Sequence, residues 1–344
     1  MSAATVQIDS HPKKLIVEFL TNRSFTQLAV LVDPTTKSLC YPLIQDVLPA
    51  HHLVEVAAGE EVKNLETCQQ IWQRLTELNF DRHALLLVLG GGVLGDMGGF
   101  CAATFKRGIS FVLMPTTLLA QVDASVGGKL GIDFMNFKNH IGVFQNPVAT
   151  LISPLFLKTL PERELRSGFA EIIKHCLIAD KTMWQTITQK TLLEQNWEEL
   201  IAHSIKIKQQ ITDQDPNEKG LRKILNFGHT LGHALETYYL SIDKKIFHGE
   251  AIAMGMIMES WISRQKSQLN EKELKSIQTY LIQVFGKVET DFDSEPVWNL
   301  ALQDKKNKGN EVLMAVPKGI GKCSWDVATS RKEVLDALEY YRQL

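Results

Sequence analysis

Three short runs in the first half of the chain, QLAVLVD at 27–33, ALLLVLGGG at 84–92 and FVLMPTT at 111–117, are apolar at nearly every position and end in an acid, glycines or threonines. A strand with no polar face must be buried on both sides, which is the situation of a parallel sheet covered by helices above and below. Helical patterns at 62–77 and 95–105 supply such covers, so this part reads as α/β of the doubly wound kind. From about residue 153 the period changes. Segments 162–180, 183–211, 221–240 and 248–265 follow a helical repeat, and a short strand pair fits within NEVLMAVPKGIGKCSW at 310–325. The expected architecture is α/β, with a Rossmann-like domain over 1–152 and a mainly α-helical domain over 153–344. No low-complexity linker separates them, so the two are predicted to pack directly, with ligands in a cleft between them.

A chain of 344 residues can bury two real cores. Its net charge of −2 provides no general attraction to nucleic acid or to an anionic membrane. The N-terminal segment lacks the apolar core of a signal peptide, and no run approaches the ~18 apolar residues of a membrane span. Cys40, Cys68, Cys101, Cys176 and Cys323 are scattered, odd in number and never in a CxxC pair. That pattern fits reduced thiols in a cytoplasmic protein and leaves histidine and carboxylate as the candidate metal ligands.

Specific chemistry concentrates in a few stretches. LVLGGGVLGDMGGF (87–100) is a strand, a glycine turn and a helix start, a layout that lets backbone N–H groups approach a pyrophosphate. Asp33, at the end of the first clear strand, is placed to meet ribose hydroxyls. QVDASVGGKLGIDFMNFKNHIGVF (121–144) sets Asp123, Lys129, Lys138 and Asn139 around glycines and reads as a glycine-rich loop whose lysines suit phosphate. SGFAEIIKHCLIAD (167–180) puts Glu171 and Lys174 one helical turn apart among apolar neighbours, where charges need specific partners.

LNFGHTLGHALE (225–236) places His229 and His233 on one helical face, about 40° apart. Read backwards, Arg222 and Asn226 extend the same polar stripe. Gly228 and Gly232 each cost about 1 kcal/mol in a helix interior, so something must approach that backbone closely. FHGEAIAMGM (247–256) adds His248 at a helix start. Glu171, His248 and one of the two neighbouring histidines form a donor set for a catalytic divalent ion with an open position. Spacing alone leaves His229 and His233 as alternatives.

Together GGGVLGD, PTTLLAQVDASVGGK, KNHIG, TLPERELRSGFAEIIK, DPNEKGLRKILNFGHTLGHALE, HGEAIAMGM and DKK closely resemble the 3-dehydroquinate synthase family of sugar-phosphate cyclases, from about residue 28 to 325. The resemblance implies a homodimer that binds NAD and Zn2+, with Co2+ as a substitute, and metal ligands Glu171, His229 and His248. It implies NAD contacts from Asp33, Glu60, Lys63, Gly91, Gly92, Asp96, Thr116, Thr117, Asp123, Lys129, Lys138 and Thr159. Proton handling falls to Lys174 and Asp123, and the substrate phosphate to Lys129, Asn139, Asn226, His233 and a lysine of the DKK run, Lys305 or Lys306. Lys208 and Arg222 match residues that address the substrate carboxylate and hydroxyls, and Arg107 one that reaches the neighbouring subunit.

The implied reaction is elimination of phosphate from 3-deoxy-D-arabino-heptulosonate 7-phosphate with ring closure, the NAD being recycled in each turnover. Two departures stand out: IDFMNF (132–137) where the family commonly reads INHPLG, and DPNE (215–218) in place of DERE. A sibling cyclase acting on another sugar phosphate, and a metal-dependent NAD alcohol dehydrogenase, are the alternatives. The dehydrogenases usually carry a GGGSxxD turn, and this chain has GGGVLGD.

Overall fold

The structure is a computed structural model that describes residues 5–21, 23–125, 127–135, 137–288, 291–303 and 311–344. The chain divides into two compact units, Met1–Leu165 with Trp197–Ile205, and Arg166–Asn196 with Lys206–Leu344. Among the described residues no helix is long and apolar enough to cross a membrane.

The first unit carries, in chain order, β1 (Thr5–Ile8), α1 (Pro12–Thr21), β2 (Leu28–Val32), α2 (Pro34–Leu39), β3 (His52–Glu55), α3 (Leu65–Glu77), β4 (Leu85–Gly90), α4 (Gly92–Thr104), β5 (Ser110–Pro115), β6 (Lys129–Phe134), β7 (Phe137–Phe144) and β8 (Ala149–Ile152). Six of these strands form one parallel sheet in the order β1-β8-β5-β4-β2-β3. The continuous apolar runs are accounted for residue by residue. Leu28, Val30 and Val32 of β2, with Leu85, Leu87 and Leu89 of β4, join Leu15, Ile16 and Phe19 of α1 on one face. Ala29, Leu31, Leu86 and Val88 face the other way, onto Ile71 and Leu75 of α3 and Met97 and Phe100 of α4. Side chains alternate across a strand, so a strand between two helical layers has no position left for a polar group.

Chain order within the sheet also creates a crevice. The path runs from β2 outward to β3 and then returns to the opposite side of β2 as β4. Such a reversal opens a gap at the carboxyl ends of the two strands, the usual ligand position in this architecture. Asp33 follows β2 there, and Gly91 and Gly92 follow β4.

Two segments of this unit differ from the sequence expectation. Residues 129–144, read as a glycine-rich loop, form the antiparallel hairpin β6–β7, and 120–124 make a short π-helical turn. Hairpin formation rests on backbone pairing across Gly131 and Gly142, where a Cβ at Gly142 would come within 2.2 Å of the Leu130 carbonyl oxygen.

The second unit continues with α5 (Glu162–Ala179), α6 (Lys181–Ile187), α7 (Trp197–Gln214), α8 (His229–Ser241), α9 (His248–Gln265), α10 (Glu271–Phe285), α11 (Ser294–Leu302), the antiparallel pair β9 (Val312–Pro317) and β10 (Cys323–Thr329), and α12 (Arg331–Arg342). The first residues of α5 and α7 belong to the other unit. The strand pair lies where 310–325 predicted it. The helix expected over 221–240 is broken: 221–226 is a 3₁₀ segment and α8 begins only at His229, after Gly228 at φ +77°. A left-handed residue cannot continue a right-handed helix, so Arg222 and Asn226 do not extend the helical stripe of His229. The segment 183–211 likewise divides into α6, a turn at 192–194 and α7.

What approaches the glycines of the histidine segment is another helix. A Cβ on Gly255 of α9 would lie 1.9 Å from the Gly228 carbonyl oxygen and 2.8 Å from Gly232 N, and one on Gly232 would meet the Ala251 carbonyl oxygen at 3.0 Å. At the start of α9, a Cβ on Gly249 would fall 2.2 Å from the Ser167 carbonyl oxygen of α5, while Gly249 N–H donates to Ser167 Oγ at 2.9 Å. Backbone thus meets backbone at both places.

Gly255→Ala should destabilise the protein by about 3 kcal/mol or more, because only backbone stands in the way of the added methyl. Gly95→Ala in α4, where a Cβ meets nothing within 4 Å, should be neutral or stabilising by up to about 1 kcal/mol. Denaturant unfolding of the two variants checks the contrast; equal losses would show that the close crossing is not a constraint.

Candidate active site

The glycine contacts bring three polar groups of the second unit together. Glu171 lies on α5, His229 is the first residue of α8 and His248 the first of α9. Glu171 Oε1 is 3.3 Å from His229 Nε2 and 3.5 Å from His248 Nε2, and one ligand atom from each of the three lies within 4.8 Å of the others. The carboxylate is 1% exposed, and neither oxygen has a geometrically sound hydrogen bond. Lys174, 2% exposed and one turn along α5, is ion-paired to Oε2.

Electrostatics follow from that packing. Burial by itself would push the Glu171 carboxyl up, but the Lys174 ammonium beside it holds it well below the usual carboxylate range. Burial, reinforced by Lys174, lowers His229 against the pull of Glu171. Glu171 is therefore anionic and His229 neutral, the forms in which these groups ligate metals. Burial also opposes charge on His248, yet Glu171 on one side and Glu236 on the other push it up to about 9. Positive charge is favoured between these carboxylates.

Both imidazoles are oriented through their second nitrogen. His229 Nδ1 is 3.0 Å from the Phe227 carbonyl oxygen, which can only accept, so Nδ1 carries the proton and Nε2 turns its lone pair toward Glu171. His248 Nδ1 is 3.6 Å from Glu236 Oε2. Metal-binding histidines are commonly held in this way by a carbonyl or a carboxylate. The Glu171–imidazole separations also match the edge of a tetrahedral zinc site, about 3.4 Å for bonds near 2.1 Å. The donor set thus fits zinc or cobalt.

His233, four residues along α8, is exposed and belongs to a second grouping with Glu236 and His248. Its ring centroid is 5.0 Å from that of His229 and 5.8 Å from that of His248. Geometry therefore groups Glu171 with His229, and sets His233 beside them.

The segment before α8 is organised by the atypical DPNE. The Asp215 carboxylate accepts from the backbone N–H groups of Lys219, Gly220 and Arg222 at 3.0, 2.7 and 3.1 Å. Arg222 is buried, and its Nη1 donates to the Pro216 carbonyl at 2.9 Å. Asn226 Nδ2 donates to Glu218 Oε1 at 2.7 Å. Asp215 and Glu218, at the two ends of the tetrapeptide, make these bonds through their side chains. Lys208 is buried on α7, and Lys305 and Lys306 lie outside the described residues.

In the first unit the expected nucleotide residues form two sets. Gly91 is the N-cap of α4 and has no side-chain cap, so the first amides of that helix are presented at the carboxyl end of the sheet. Gly91 faces Thr117, with a Cβ there reaching Thr117 Cγ2 at 3.0 Å, while Thr117 Oγ1 accepts from Ala120 N at 3.2 Å. Thr116 N–H donates to the Gly90 carbonyl at 3.0 Å. Asp33 Oδ1 caps α2, accepting from Thr36 N at 2.7 Å.

The second set centres on Lys63, which is 4% exposed and donates to Asp96 Oδ2 at 2.7 Å and to Asn139 Oδ1 at 2.6 Å. Lys138 Nζ approaches Glu60 Oε1 at 3.9 Å. This network ties the hairpin to the turn before α3 and to α4. Asp123 sits in the π-helical turn, Lys129 is exposed on β6, and Thr159 donates to the Phe156 carbonyl at 2.7 Å. Arg107 is exposed, with Lys106 and Arg107 both in left-handed backbone at φ +50° and +67°.

Neither Glu236 nor Glu259 was given a role from the sequence, although Glu236 falls in step with the polar stripe of His229 and His233. Glu259 did leave a trace in the sequence, as a lone carboxylate in the apolar run AIAMGMIMESW.

Comparison with known proteins agrees with this geometry. Residues 53–167 match the family model described as 3-dehydroquinate synthase N-terminal, and residues 168–307 the one described as 3-dehydroquinate synthase C-terminal. The chain is 35% identical to the 3-dehydroquinate synthase of Parabacteroides distasonis, covering 100% of this chain and 99% of that protein. It is 41% identical to that of Acetivibrio thermocellus, covering 82% and 81%. Among solved structures, 2-epi-5-epi-valiolone synthase from Streptomyces hygroscopicus, with NAD+ and Zn2+ bound, superposes with a TM-score of 0.88 at 25% identity, over 100% of this chain and 98% of that one. Fold, donor set and both halves of the sequence converge: this chain belongs to the 3-dehydroquinate synthase family.

Proposed function

We propose that the chain converts 3-deoxy-D-arabino-heptulosonate 7-phosphate into 3-dehydroquinate and phosphate, as a phosphate-eliminating lyase of the shikimate pathway that binds NAD and a divalent ion. Family membership over both halves carries the activity, and the Glu171–His229–His248 grouping carries the metal. We assign the nucleotide to the first unit, and the metal and the substrate carboxylate to the second. A dehydrogenase with the same fold would consume NAD and release NADH; membership in the synthase family argues against it.

Glu171, His229 and His248 would hold the ion, which would polarise substrate oxygens. NAD, held by the first unit, would supply a reversible oxidation of the substrate. The rest falls to the chain's own groups. Lys174, ion-paired with Glu171, is suited to holding or passing a proton at a substrate oxygen, with Asp123 as the other proton-handling group. Lys129, Asn139, Asn226 and His233 are assigned to the substrate phosphate. Arg222 is assigned to the carboxylate: its guanidinium is buried, anchored through Nη1 on the Pro216 carbonyl, and has the fork geometry that suits a carboxylate.

We further read the assembly as a homodimer in which Arg107 serves the neighbouring subunit. The left-handed backbone at Lys106 and Arg107 supports this, since such conformations persist where function requires them. Exposed Phe134, Met135, Phe137 and Phe144 on the β6–β7 hairpin also support it, as an apolar surface in want of a cover. The cytoplasm is the proposed compartment, in keeping with five free cysteines.

Purified protein should release phosphate from the heptulosonate phosphate with no net rise at 340 nm, and leave sedoheptulose 7-phosphate untouched. Net NADH would identify a dehydrogenase, and equal phosphate release from the two sugars a sibling cyclase. Elemental analysis should find one divalent ion per chain, lost in Glu171→Ala and His229→Ala and retained in His233→Ala; the reverse pattern for the two histidines would reassign the ligand. Arg222→Met should lower kcat/KM for the heptulosonate phosphate by about a hundredfold or more, because a site built for a carboxylate loses its counter-charge. Unchanged kcat/KM would remove Arg222 from the substrate.

A further inference from the structure

Glu259 is 0% exposed on α9, and a carboxylate is retained in such surroundings only against strong donors. Those donors are backbone amides. Gly228 N–H donates to Glu259 Oε2 at 2.6 Å, and Leu231 N–H donates to Oε1 at 3.0 Å. The two amides belong to the N-cap and the third residue of α8, and His229 lies between them. Helices usually close this end with a side chain of the N-cap residue itself. Here that is impossible: Gly228 is at φ +77°, and a Cβ on it would meet Met256 Cγ at 2.5 Å. The neighbouring helix provides the cap instead. His248 and Glu259 are separated by about three helical turns of α9, so one face of that helix carries both a member of the metal grouping and the carboxylate that fixes the turn bearing another.

We propose that Glu259 is a positioning residue for the metal site, a cap supplied in trans that sets His229 against His248 and Glu171 before any ion binds. The proposal rests on the metal reading above. A glutamine at this position keeps one acceptor oxygen but turns an N–H2 group toward the second amide, so the turn carrying His229 loses one of its two anchors.

The test is zinc affinity by chelator competition on Glu259→Gln, with the visible d–d spectrum of the cobalt-loaded protein as a second readout. Ile277→Val, a truncation in the core of α10, is the control for a general loss of stability. Glu259→Gln should bind zinc about 10- to 100-fold more weakly than the unmodified protein and show an altered cobalt spectrum, while Ile277→Val changes neither. Zinc affinity equal to that of the unmodified protein, or lowered no more than in Ile277→Val, would overturn the proposal. If Glu259→Gln does not fold, amide exchange in the chelator-treated unmodified protein decides. Protected amides at Gly228 and Leu231 support a cap that precedes the ion, and unprotected ones overturn it. Failure of the unmodified protein to bind zinc would defeat the metal reading itself, a result distinct from any of these.

Discussion

Backbone-to-backbone contact at glycine is the constraint on which the second unit depends. Gly255 meets Gly228 and Gly232 where α9 crosses α8, and Gly249 meets Ser167 where α9 begins against α5. Even a methyl group at these points would push the crossing backbones apart. Because they are absent, Glu171, His229 and His248 converge from three separate helices to within hydrogen-bonding or ligand distances. Each glycine is unfavourable as a helix residue, by about 1 kcal/mol where it is interior. Tertiary packing offsets that cost.

Convergence has an electrostatic consequence. Three polar groups brought together in an apolar interior must be compensated, and the compensation comes in layers. Lys174 sits against one oxygen of Glu171, the Phe227 carbonyl and Glu236 face the distal nitrogens of the two imidazoles, and Glu259 occupies the amides at the start of α8. The first unit uses the same device at lower density, with Lys63 shared between Asp96 and Asn139. In both units a buried ionic group joins elements that are distant in sequence, and its value lies in fixing geometry more than in adding stability.

Much of this was legible in the chain. The apolar runs required a sheet covered on both faces, and their residues 28–32, 85–89 and 111–114 are found facing one helical layer or the other. The lone charges in SGFAEIIKH and the spaced histidines identified the polar centre, since buried ionisable groups are rarely left without partners. The reading failed where local pattern and tertiary demand diverge. A 3.6-residue stripe from Arg222 to Glu236 looked continuous, yet Gly228 takes a left-handed conformation and ends it, because the crossing with α9 needs a turn at that point. The β6–β7 hairpin was hidden by the glycines that its own close pairing requires.

By itself the sequence determined the layered α/β architecture of the first half, the helical character of the second, and the chemical types gathered at the site, because periodicity and residue type act locally. Where spacing left His229 and His233 as alternatives, tertiary structure shows that His229 faces Glu171, since the two share a helical face and differ only in what stands opposite them. It also decided that Glu259 caps α8. Its two hydrogen bonds join residues 31 and 28 positions apart in the chain, separations that no periodicity encodes and that only the crossing of two helices can close.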